Sequence, residues 1–176
     1  MVDLAEIQAA YYMVAATGVL VAAAFYILNL RMARRKVRID NTILYGNLIT
    51  DKETSAAVHD VLLVQQYSSF DEWNEKYRLN SEAYSNYFAA MGLLGMLGLC
   101  VSENIVDFDL LSKRGLVTLT IAVYPKIKPI IMGYRTMYND PMYGYWSEYL
   151  YNEVVKRNPN AKISPDRARL VLGVDA

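Results

Sequence analysis

The chain is poor in the residues that build metal and redox chemistry: it has one cysteine, Cys100, and one histidine, His59. Structural zinc needs four N or S ligands and catalytic zinc or copper two or three imidazoles, so a single copy of this chain assembles neither. One cysteine also excludes an internal disulfide, and its setting, GMLGLCV, reads as a small buried thiol. His59, in AAVHDVLLV, reads as a helix-surface residue beside Asp60. No phosphate loop is present, and the carboxylates Asp71 and Glu75 have no histidine or nucleophile beside them. They read as a solvated helix start. The expectation is a non-catalytic protein that needs no cofactor and shows no small-molecule substrate.

An excess of charge of either sign is missing too, with 18 basic and 18 acidic side chains. The balance is unevenly spread. The first 38 residues hold five basic and two acidic groups, and the remainder is slightly acidic. A slightly acidic domain argues against nucleic acid, which requires a basic face to neutralise phosphates.

The third absence is local. From Ala9 to Leu28 the chain reads AAYYMVAATGVLVAAAFYIL, twenty residues without a charge, and the basic cluster Arg31, Arg34, Arg35, Lys36 and Arg38 follows. At about 1.5 Å of rise per residue this run crosses a hydrocarbon layer of roughly 30 Å. A cleavable signal peptide places its positive residues before a shorter apolar core, whereas Asp3 and Glu6 precede this one. The run reads as a retained span, with residues 1–38 as anchor and collar. The collar holds its side in the cytoplasm and the N-terminus is translocated. Each basic side chain near an anionic leaflet adds about 1 kcal/mol of attraction to the membrane surface. Ala15, Gly18 and Ala22, at i, i+3 and i+7, share one helical face that would admit a close-packed neighbour in lipid, although small residues are also common in spans for no such reason.

Residues 39–158 read as one cytoplasmic helical domain and residues 159–176 as a tail, with LVLGV (Leu170 to Val174) as a docking peptide if a partner exists. Thr50 followed by Glu53 is a capping-box pattern that divides the stretch from Ile39 to Tyr67 into two helices after Ile49. Ser69 caps a helix whose buried edge is Phe70, Trp73 and Tyr77. Ala83 to Ser102 is again uncharged. Its polar beginning and acidic flanks favour a buried core helix over a second span, and Gly92, Gly95 and Gly98 would let neighbours approach its backbone. Asp107 or Asp109 caps a short helix. LVTLTIAVY reads as a strand by its β-branched content, Pro125 and Pro129 start or kink a helix, and Asp140-Pro141 opens one that carries Trp146, Leu150 and Val154 on one face and stops at Asn158-Pro159.

These motifs carry a resemblance. Tyr67 through Phe70, Trp73 and Tyr77, then MGLLGMLG, Ile105-Val106-Asp107, Lys128-Pro129-Ile130-Ile131, Arg135, and Asp140-Pro141 through Trp146, Tyr149 and Leu150 resemble a prokaryotic family of single-span membrane proteins with a helical cytoplasmic domain, catalogued as a domain of unknown function. The likeness runs from about Ile39 to Arg157. It departs at Tyr124 and Pro125, where the family often carries a tryptophan one turn before Lys-Pro-Ile-Ile. The resemblance implies an all-α fold, which overrides the strand reading of LVTLTIAVY, and it supplies no catalytic residues.

Two function classes follow. In one, the chain is a non-catalytic accessory subunit of a larger membrane assembly, packed against other membrane subunits by its span and capping the cytoplasmic face; the fifteen tyrosines suit an interface, or else a core. In the other it is a free-standing anchored scaffold or sensor that binds a cytosolic protein.

Overall fold

The computed structural model describes residues 3–161, and among these every element is helical and no strand occurs. The all-α expectation holds. The chain divides into two compact units, Met1–Asp40 and Asn41–Ala176.

The first unit is the apolar run and its basic collar, within helix α1 (Leu4–Thr50). Asp3 opens the helix by accepting a hydrogen bond from Ala5 N at 3.1 Å. The only hydroxyl among the apolar side chains from 13 to 25, that of Thr17, donates to Met13 O at 2.8 Å, so the helix satisfies that polar group internally, as a lipid environment requires.

The second unit begins with the last turns of α1. Helix α2 (Lys52–His59) is capped by Asp51, whose carboxylate accepts from Glu53 N and Thr54 N. This corrects the capping-box expectation by one residue: Thr50 is the last residue of α1 and donates back to Asn47 O, while Asp51 takes the extended conformation a cap needs. A π-helical turn (Asp60–Val64) continues α2 and ends at Gln65.

Helix α3 (Phe70–Tyr77) begins as expected, with Ser69 Oγ accepting from Glu72 N at 3.2 Å. Asn80 caps α4 (Ser81–Ser102), and Asp107 caps α5 (Phe108–Lys113). The α4 C-terminus closes through Asn104 in the left-handed region, with Ile105 N donating to Cys100 O and Asn104 N to Val101 O, which satisfies the last carbonyls.

The LVTLTIAVY stretch lies inside α6 (Leu116–Tyr138), and both prolines lie in its interior. Its buried residues include Leu116, Thr120, Val123, Ile127, Ile130 and Tyr134, a three-and-four repeat that places one stripe inward. Burial of that stripe outweighs the β-branched preference. Pro129 offers no N–H to the carbonyl one turn back; next to it, Lys126 O accepts the Tyr67 hydroxyl at 2.9 Å. Asp140-Pro141 forms a turn in place of the expected helix start. Asp140 Oδ1 accepts from Met142 N, and α7 (Tyr145–Arg157) starts only after Gly144 turns the chain at φ 67°. A side chain there would also run into Ile131.

The core of this unit gathers around α4, α6 and α7. Gly98 lies against the main chain of Trp146, so a Cβ there would overlap the Trp146 carbonyl, and Ser147 Oγ donates to Met91 O at 3.0 Å. Close approach thus occurs at Gly98 alone of the three glycines. At Gly95 a Cβ would make ordinary contact with Ser147, and at Gly92 it would meet nothing. On α6, Gly133 makes room for the Phe70 ring.

Candidate functional site

Helix α1 presents the clearest functional surface. None of its most apolar stretch is buried, and Val14, Leu20 and Phe25 are among its exposed side chains. Ala15, Gly18 and Ala22 lie on this helix, all exposed, and the space where a Gly18 side chain would sit is open. Arg31, Arg34, Arg35, Lys36 and Arg38 are exposed on the same unbroken helix. Arg31, Arg34, Arg35 and Arg38 recur at i, i+3, i+4 and i+7, so four guanidinium groups form one stripe and Lys36 points elsewhere.

By length and composition α4 and α6 are also long and apolar enough to cross a membrane. They differ from α1 in that 44% and 39% of their apolar windows are buried among other helices. The α6 segment escapes a reading by eye, because its β-branched half resembles a strand and its prolines interrupt the pattern.

Inside the second unit the polar groups serve architecture. Gln65 is fully buried and satisfied on both sides of its amide: Nε2 donates to Asp60 Oδ2 at 2.7 Å and to Ala83 O at 2.9 Å, and Oε1 accepts the Trp73 indole N–H at 2.9 Å. Arg135 donates to Tyr143 O at 2.8 Å and to Glu148 Oε2 at 2.7 Å, which pins the 139–144 turn to α6 and α7. The sequence patterns assigned no role to Gln65 or Arg135. A polar amide directly after the apolar run from Val61 to Val64 was the available signal for the first.

The aromatic residues are mostly internal. Trp73 packs against Tyr84, Tyr87 and Tyr134, and Tyr134 against Phe70 and Tyr143. Tyr138 and Tyr145 are exposed, near Met137 and Met142 in the chain. Burial pushes the Tyr67 hydroxyl well above its ordinary range, with nearby Tyr77 adding to the effect.

Asp71 in the first turn of α3 and Glu75 near its end are both exposed to solvent. Their neighbour Glu72 is the engaged carboxylate: it accepts from Lys76 Nζ at 2.6 Å and from the Ser68 N–H and hydroxyl at 2.8 Å each, which lower its pKa to about 2. Cys100 is a buried free thiol. His59 is half-buried and lines a cavity. Among the described residues no three His, Cys, Asp or Glu side chains are placed to hold a metal ion. The Leu170 to Val174 segment lies outside the described residues. Comparison of the chain with family models, curated proteins and solved structures finds no significant match.

Proposed function

We propose that this protein is a single-span, non-catalytic accessory subunit of a larger membrane complex. The observation that carries the reading is an apolar stretch of α1 none of which is buried, followed by a stripe of arginines. A large apolar side chain left in water forgoes about 1.5–3 kcal/mol relative to burial, so a helix with so many of them needs another environment. Lipid supplies it along most of the circumference. The Ala15, Gly18 and Ala22 face is where a neighbouring transmembrane helix approaches closely. The collar keeps its end in the cytoplasm, and the second unit is a helical-bundle domain on that side, with α4 and α6 serving as core helices.

The free-standing scaffold is the second reading, favoured by the exposed Met132, Met137, Tyr138 and Met142 near the α6 terminus. Gentle detergent extraction and native electrophoresis separate the two. Co-migration with a large complex is the expected result, and a small homogeneous species favours the scaffold.

A further inference from the structure

The second unit carries a partly open cavity of about 290 Å³ whose wall is largely apolar, with Ile49, Val58, Leu62 and Leu119 among its residues and Arg114 and His59 as its ionisable groups. Arg114 is held in place. Its Nη1 donates to Ile43 O at 3.3 Å, its Nη2 donates to Asn47 Oδ1 at 2.8 Å, and its stem lies over Gly46, where a Cβ would come within 3.0 Å of Arg114 Cδ.

Both acceptors are neutral, and among the described residues no carboxylate pairs with this guanidinium. Two of its five N–H donors are used, which leaves three. A fixed, unneutralised guanidinium beside an apolar hollow suits a ligand that is anionic at one end and hydrocarbon at the other. With a methylene taking up roughly the 30 Å³ of a water molecule, the hollow holds on the order of nine or ten carbons.

We propose that this cavity binds a medium-length, single-chain carboxylate, its headgroup on Arg114 and its chain against Leu62 and Leu119. The site belongs to the second unit alone and does not depend on the assembly reading.

The test uses the full chain in phosphatidylcholine nanodiscs, labelled with decanoate that carries a photoreactive diazirine and mapped by peptide mass spectrometry. Labelling is expected in the peptides spanning Ile49 to Leu62 and Arg114 to Ala122. Unlabelled decanoate should compete, and decanol should compete roughly tenfold more weakly, because it lacks the charge that Arg114 recognises. Arg114→Gln should abolish the preference for decanoate. Ala122→Phe puts a large side chain into the cavity wall while leaving Arg114 and its bonds to Ile43 and Asn47 in the sequence, and it should remove labelling while the cooperative melt persists. Labelling confined to Ala9 to Leu28, equal competition by decanol, or undiminished labelling of Ala122→Phe each overturn the proposal.

Discussion

Trp73 and Gln65, both fully buried, are joined by an indole N–H to amide oxygen hydrogen bond of 2.9 Å, and the same amide ties Asp60 to the α4 backbone at Ala83. One side chain thereby fixes the π-helical turn, α3 and α4 to each other. Gln65→Leu preserves volume but strands the Trp73 N–H and takes the amide donor from Asp60 Oδ2, so the full chain in mild detergent should lose on the order of 3 kcal/mol. Chemical denaturation followed by circular dichroism measures it. The double variant Gln65→Leu with Trp73→Phe should cost less than the sum of the two single changes, since neither partner is then left unpaired.

The glycines of α4 should behave unequally. Gly98→Ala forces a methyl group into the Trp146 backbone and should cost about 1–3 kcal/mol. Gly92→Ala meets open space and should be neutral or stabilising by up to about 1 kcal/mol through helix propensity. Thermal melts of the two variants beside the parent decide it, and equal losses would contradict the packing of α7 on Gly98.

Glu72 gives a pH signature. Its folded pKa, about 2, lies below the ordinary value of 4.5, so the stabilisation it provides is present above pH 4.5 and is lost as pH falls towards 2. A carboxyl-resolved NMR titration should find Glu72 still ionised at pH 3.5, and Lys76→Met should raise its midpoint. A Glu72 midpoint near 4.5 in the parent would contradict the three hydrogen bonds.

Two helix starts, those of α3 and α5, were legible in the sequence because caps are local. Ser69 and Asp107 each need only their own side chain and a backbone N–H one turn away. At Thr50 the same logic missed by one residue, since Asp51 competes for the same role. The Asp140-Pro141 reading failed for a tertiary reason: the chain must turn at Gly144 to bring Ser147 and Leu150 against α4. In α6 the helical spacing of Leu116, Thr120, Val123 and Ile127 was present, but it runs through a β-branched segment and across Pro125, and a reading by propensity stops at both. Arg114 was not legible at all, because its partners Ile43 O and Asn47 Oδ1 lie far back along the chain, and Gln65 offered only the polar amide that closes an apolar run.

The arginine stripe predicts orientation. With Arg31, Arg34, Arg35, Lys36 and Arg38 replaced by glutamine, reporters fused at either end should show mixed topology, whereas the parent should place the C-terminal reporter in the cytoplasm. A uniform orientation in the neutral variant would assign that role elsewhere.

The accessory-subunit account is tested most directly at Gly18 and Ala22. Apolar burial contributes little inside lipid, so association there depends on backbone approach at small residues. Gly18→Leu with Ala22→Leu keeps the span hydrophobic and insertable. Quantitative co-purification of the tagged parent and the double variant from native membranes is the measurement. The account predicts that the variant reaches the membrane in the same orientation and loses the partners that accompany the parent; recovery of the same partners in the same amounts would contradict it.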